Sequence, residues 1–178
     1  MNMDLLSDLE VGKAAEHLVV ADLILSGYRA YLTEQGLPYD VVLDHESKLY
    51  RIQVKASRCA KRMPQRAKYT PGYLYNVRRA GKGGKRLYGD DEFEILALVG
   101  IDIRIVAYLP FHGRVLQSIY LRPPGHVGSA RTERTHTIDQ MPIESALAAL
   151  TGKRPVLSPK VATVRMPHRT QARLFEIA

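Results

Sequence analysis

Tyr39-Asp40-Val41-Val42-Leu43, the polar run Asp44-His45-Glu46-Ser47-Lys48, and Leu49-Tyr50-Arg51-Ile52-Gln53-Val54-Lys55-Ala56 together decide the fold. Two segments rich in β-branched and aromatic residues flank a polar turn, the pattern of a β-hairpin. Side chains on a strand alternate between its faces. In the second strand Tyr50, Ile52, Val54 and Ala56 therefore point one way, and Arg51, Gln53 and Lys55 the other. One face reads as core and the other is available for chemistry. Asp40, which opens the first strand, lies beside Gln53 and Lys55 in the register that the turn suggests.

Outward from this hairpin, residues 4–26 read as a helix. Ser7 and Glu10 are spaced for a capping box, Val11, Ala14, Ala15, Leu18 and Leu25 recur at helical intervals, and Gly27 supplies the stop. Tyr28–Thr33 is a short strand candidate. Residues 57–72 read as a polar, basic loop, Tyr73–Val77 as a strand, and residues 78–86 as a flexible basic loop rich in glycine. Phe93–Val99 and Ile103–Leu109 are two apolar strands turned at Gly100-Ile101-Asp102. Val115–Leu121 is a weaker strand candidate and Ile143–Leu150 a short helix. The order is α, then mostly β, with a less defined C-terminal third.

The chain has 178 residues and a net charge of +8, with a single cysteine, so a disulfide scaffold is excluded. One cysteine and no basic N-terminal region suit a cytoplasmic location. The apolar run Ile95–Ile101 is too short to span a bilayer. The charge is segregated. Residues 1–55 carry net −4, residues 56–89 hold ten basic residues and no acid, residues 90–110 carry net −4, and residues 111–178 carry +6. An acid-free basic stretch is the footprint that a phosphate backbone selects, although a charge run alone is more often a solvated face.

Glu16 on the helix, Asp40, Gln53 and Lys55 form a constellation suited to a metal-dependent phosphodiesterase. A carboxylate with further oxygens holds Mg²⁺. The metal polarises a phosphate, and a neighbouring lysine handles the attacking water or the growing charge. Each residue also has a plainer reading. Glu16 suits an exposed helix face, Asp40 a turn after Pro38, and Gln53 with Lys55 the solvent side of an amphipathic strand.

Gly12-x-x-Ala15-Glu16, Gly27-Tyr28, Pro38-Tyr39-Asp40 and Ile52-Gln53-Val54-Lys55 resemble the PD-(D/E)XK nuclease superfamily, in its Holliday-junction-resolvase-like and intron-homing-endonuclease branch. Arg86-Leu87-Tyr88, Asp90-Asp91 and Tyr108-Leu109-Pro110 match the later layout of that branch. The resemblance covers about residues 8–110. It implies an α/β, restriction-endonuclease-like core of helix, antiparallel meander and further strands, at 1–110, with a basic C-terminal extension at 111–178 for DNA contact or oligomerisation. It further implies Asp40 as principal metal carboxylate, Lys55 as catalytic lysine, and Glu16 and the Val54 main-chain carbonyl as metal supports. Gln53 stands where Asp or Glu is usual, a neutral ligand that lowers metal affinity. The implied activity is Mg²⁺-dependent DNA endonuclease, with Mn²⁺ as substitute. The alternatives are a Holliday junction resolvase and a non-catalytic nucleic-acid-binding protein with a decayed site.

Lys61, Arg62, Arg66, Lys68, Arg78, Arg79, Lys82, Lys85 and Arg86 are the phosphate-contact candidates on double-stranded DNA. Tyr69, Tyr73 and Tyr75 interleave with them, as base-stacking residues or as core. Gly81-Lys82-Gly83-Gly84-Lys85 lacks the spacing of a P-loop. His112, His126, His136 and His168 show no zinc spacing, and Cys59 reads as structural. Double-strand cleavage by so small a unit requires two sites, so a homodimer or homotetramer is expected.

Overall fold

The computed structural model describes residues 6–62, 71–81, 84–111, 117–126 and 136–152. It begins with helix α1 (Asp8–Leu25). Its first turn is closed as the spacing predicts: Glu10 N–H donates to the Ser7 hydroxyl at 3.2 Å and Ser7 N–H donates back to the Glu10 carboxylate at 2.7 Å. Its end is a Schellman motif, in which Gly27 N–H donates to the Ile24 carbonyl and Tyr28 N–H to the Leu23 carbonyl, each at 3.0 Å. Gly27 sits at φ 87°, a conformation that a side chain resists. The buried stripe is Val11, Ala15, Val19 and Leu23. Leu25, read above as part of that stripe, is 81% exposed. A stripe that advances by four residues has turned away from the core by then.

Strands β1 (Arg29–Leu32), β2 (Val41–His45) and β3 (Lys48–Ser57) form an antiparallel meander. The β2–β3 turn is tighter than the polar run suggests. Only Glu46 and Ser47 lie outside the strands, both at positive φ (50° and 61°), the geometry that matches strand twist in a two-residue hairpin. Strand β4 (Tyr73–Asn76) and the short strands β5 (Arg79–Gly81) and β6 (Gly84–Arg86) follow. Strand β7 (Ile95–Gly100) then returns parallel to β3, and β8 (Ile105–Pro110) pairs antiparallel with β7. The sheet order is β1-β2-β3-β7-β8.

Each face of this sheet carries its own core. On one, α1 and α2 (Ile143–Thr151) cover Val41, Leu43, Ile52, Val54, Ile95, Ala97 and Val99. On the other, Leu96, Leu98 and Ala107 pack with Tyr73 and Tyr75 of β4 and with Leu121 of β9 (Ser118–Leu121), which pairs with β4. The alternation read in β3 holds, since Ile52 and Val54 belong to the helix-side core. Arg51 and Glu94 fasten the parallel pair: Arg51 N–H donates to the Glu94 carboxylate at 2.7 Å, and Glu94 N–H to the Arg51 carbonyl at 3.0 Å. Beyond residue 110, Leu121, Ile138, Ile143 and Ala146 contribute to the same two cores. Among the described residues no helix is long and apolar enough to cross a membrane.

Burial sets the expected cost of truncation. Leu98, at 0% exposure, should lose about 2–5 kcal/mol of unfolding free energy as Leu98→Ala. Leu25→Ala should change it by less than about 0.5 kcal/mol. Urea titrations of the two variants check the contrast.

Candidate active site

Strand β3 outlasts its neighbour. It pairs with β2 only from Lys48 to Ile52, whereas Gln53 to Ser57 pair with β7 alone. The last main-chain link on the β2 side is Asp40 N–H to the Ile52 carbonyl, at 2.9 Å. Two residues further on, Val54 presents its amide and carbonyl to an open edge, where buried main-chain groups need other partners. The Asp40 side chain supplies one: Val54 N–H donates to Asp40 Oδ2 at 2.8 Å. The side-chain amide of Gln53 supplies the other, donating to the Val54 carbonyl at 3.1 Å and also to Asp40 Oδ2. Gln53 is one of the few buried polar residues, 6% exposed. Asp40, Gln53 and Val54 thus meet directly.

The electrostatics of this edge are strained in a useful direction. Burial pushes the Asp40 carboxyl above its ordinary range, the Val54 N–H pulls it down, and the charge of Glu16 pushes it up again. Lys55 and Lys13 partly offset this. Glu16 acts on Asp40 through charge, and its own carboxylate accepts from Lys13 Nζ at 2.8 Å. Burial also lowers the pKa of Lys55, against the opposing pull of Asp40. The Lys55 amine donates to the Tyr88 hydroxyl at 2.7 Å and to the Arg78 carbonyl at 3.3 Å.

The donor set fits a hard divalent cation. The Gln53 amide nitrogen bridges a carboxylate oxygen and a main-chain carbonyl, so the two oxygens converge on one point where positive charge is favoured. A rotated Gln53 side chain drawn back from that point would set a third oxygen beside the other two. Among the described residues no three of His, Cys, Asp and Glu converge, so this cradle has one carboxylate and neutral oxygens at its centre.

The basic candidates fall into several groups. Lys61 and Arg62 are exposed just past β3. Arg78 donates to the Gln117 side chain at 2.7 Å. Arg79 and Arg86 flank the β5–β6 hairpin, and both reach Glu92, at 3.3 Å and 2.7 Å. These contacts, Arg86 foremost, hold the Glu92 carboxyl down to about 2. Lys85 is placed as backbone in β6. Arg66, Lys68, Lys82 and Tyr69 lie outside the described residues. Tyr73 and Tyr75 are not available for base stacking, because each is 1% exposed in the second core. The segment read as a flexible loop contains a short ladder, Arg79 to Arg86 through Gly81 to Gly84.

Residues 7–141 match the family model of the PD-(D/E)XK endonucleases. The chain belongs to the PD-(D/E)XK endonuclease family. No curated protein matches. Among solved structures, this family member is similar to the bacterial homing endonuclease I-Ssp6803I, with a TM-score of 0.59 and 19% identity over 82% of this chain and 95% of that one. That likeness is one of fold: a mixed α/β architecture built on a multi-strand sheet. Membership of a nuclease family implies DNA as the substrate class.

Three residues around the candidate site are given no role in it by the sequence reading. Tyr88 meets Lys55 across 33 residues of chain, Lys13 neutralises Glu16, and Glu92 gathers the hairpin arginines. Only Lys13, one helical turn before Glu16, carried a local signal.

The shifted Asp40 has a consequence for stability. A carboxyl whose pKa is higher folded than unfolded binds more protons in the folded state. Stability therefore falls as pH rises from the ordinary range near 3.8 through the raised value, and stays lower above it. Asp40→Asn keeps an oxygen for the Val54 amide and removes the partly buried charge. It should raise Tm at pH 7 in EDTA, with the gain vanishing below the ordinary carboxylate range, as read by thermal melts across pH.

Proposed function

We propose that the chain is a divalent-metal-dependent endonuclease that hydrolyses phosphodiester bonds of double-stranded DNA, homing- or resolvase-like in its role. The observation that supports this most is the convergence of Asp40, the Val54 carbonyl and Gln53 at the open edge of β3, with Lys55 next along the same face as Gln53. Asp40, Gln53, the Val54 carbonyl and Glu16 would hold Mg²⁺, or Mn²⁺ in its place. When bound, such an ion polarises a phosphate and lowers the pKa of a water.

The chain's own residues do the rest. Asp40 contributes the central negative charge, and Glu16 a second one nearby. Gln53 turns its amide so that oxygen replaces nitrogen at the cradle. Lys55, brought toward its neutral form by burial, takes a proton from the attacking water; when protonated it meets the charge that builds on the phosphate. Lys61, Arg62, Arg66, Lys68, Arg78, Arg79, Lys82, Lys85 and Arg86 hold the DNA backbone. A homodimer or homotetramer supplies the second cut, with residues 111–178 adding DNA contacts or the interface.

A second reading, a DNA-binding protein with a decayed metal site, is favoured by one observation: the neutral Gln53 amide already satisfies both oxygens of the cradle. Calorimetric titration with Mg²⁺ or Mn²⁺ separates the two, since a decayed site takes up no metal. In a cleavage assay on plasmid, linear duplex and four-way junction DNA, Asp40→Ala and Lys55→Ala should each abolish cutting while DNA binding persists. Cutting at wild-type rates by either variant would refute the site. Junction-only cleavage identifies a resolvase, and cutting at one long site a homing enzyme.

If about six of the basic residues neutralise phosphates, the logarithm of the binding constant should fall against the logarithm of salt with a slope of roughly −5. Anisotropy titrations at several salt concentrations measure it. A near-flat dependence overturns the phosphate assignment.

A further inference from the structure

Lys55 is held by the two ends of one basic hairpin. The carbonyl that accepts from its amine at 3.3 Å belongs to Arg78, immediately before β5. The hydroxyl that accepts from it at 2.7 Å belongs to Tyr88, two residues after β6. An ammonium has three N–H directions, and these contacts take two of them, leaving one for the reacting groups. Tyr88 is itself fixed. Its ring meets Phe93 edge-on at 5.0 Å, and Phe93 is 1% exposed in the second core. The hairpin is tied to the same point through Glu92. That carboxylate accepts from Gly89 N–H at 2.6 Å, the residue next to Tyr88, and from Arg86 at 2.7 Å and Arg79 at 3.3 Å.

We infer that Tyr88 is the positioning residue for Lys55, and that through it the β5–β6 hairpin couples its grip on the DNA backbone to the placement of the lysine amine. This rests on the reading that Lys55 acts in cleavage. A flexible four-carbon side chain without these two acceptors samples many rotamers, and misplacement by about 1 Å can cost roughly a hundredfold in rate. A phosphate that draws Arg79 or Arg86 from Glu92 pulls on the turn that carries Tyr88. Backbone engagement and lysine geometry are thereby one event.

The test uses the full chain on plasmid DNA in Mn²⁺, with cleavage followed at saturating protein and DNA affinity measured separately in Ca²⁺. Tyr88→Phe keeps the ring and loses the hydroxyl. Its maximal rate should fall roughly 10- to 100-fold with affinity unchanged within about twofold. Glu92→Gln, which frees the arginines and loosens the turn, should bind DNA more tightly and cut it more slowly. Wild-type cleavage by Tyr88→Phe while Lys55→Ala is inactive overturns the inference and leaves the functional reading standing. So does a Tyr88→Phe variant that loses affinity and rate together. Wild-type cleavage by Lys55→Ala instead removes the functional reading on which the inference depends.

Discussion

Where two paired strands part company, main-chain amides and carbonyls are left facing outward, and burial makes that costly unless something else meets them. In this molecule the parting occurs at Ile52, and the Asp40 carboxylate answers it by accepting the Val54 amide. The same contact has two effects. It completes the edge of the sheet as a strand would, and it fixes a partly buried carboxylate within reach of a main-chain carbonyl. Structure and chemistry here share one hydrogen bond. Burial raises the Asp40 pKa against the pull of the Val54 amide, so the contact that closes the edge is made by a carboxylate whose ionised form burial disfavours.

The surrounding architecture keeps that point still. Five strands carry a core on each face, so β3 is gripped from both sides while its polar side chains emerge at the opening. The Arg51–Glu94 pair locks β3 against β7 just before Gln53 and Lys55 appear. Helix α1 packs on the same sheet through Ala15, and the adjacent Glu16 brings a second carboxylate to the edge. Rigid supports of this kind are what a site needs when it must hold charge in a fixed geometry before substrate arrives.

Much of this was legible in the residues. The helix start was written in Ser7 and Glu10, its end in Gly27, and the hairpin in the alternation of Tyr50 to Ala56. These signals are local, and local signals survive in a one-dimensional reading. The meeting of Asp40 and Gln53 was legible for the same reason, since they share one hairpin. What stayed hidden depends on folding in three dimensions. Leu25 fits a helical period yet faces solvent, because period alone does not set where the stripe ends. Tyr73 and Tyr75 sit among basic residues yet belong to the core. Glu92 lies just beyond the acid-free stretch, and nothing in its neighbourhood announces that it gathers Arg79 and Arg86. The parallel return of β7 onto β3 is equally silent, since no sequence pattern states which strand a segment will join.

That parallel return carries an evolutionary consequence. The chain between β3 and β7 leaves the sheet and comes back to it as an excursion, while Asp40, Gln53 and Lys55 all precede its departure. Lengthening an excursion costs little closure entropy, and connecting segments absorb insertions more readily than buried strands do. The parts of this excursion that neither pack in the second core nor touch Lys55 can therefore diverge in length and composition. Change in length is tolerated where the chain leaves the sheet and resisted in the hairpin that holds Asp40 against Gln53.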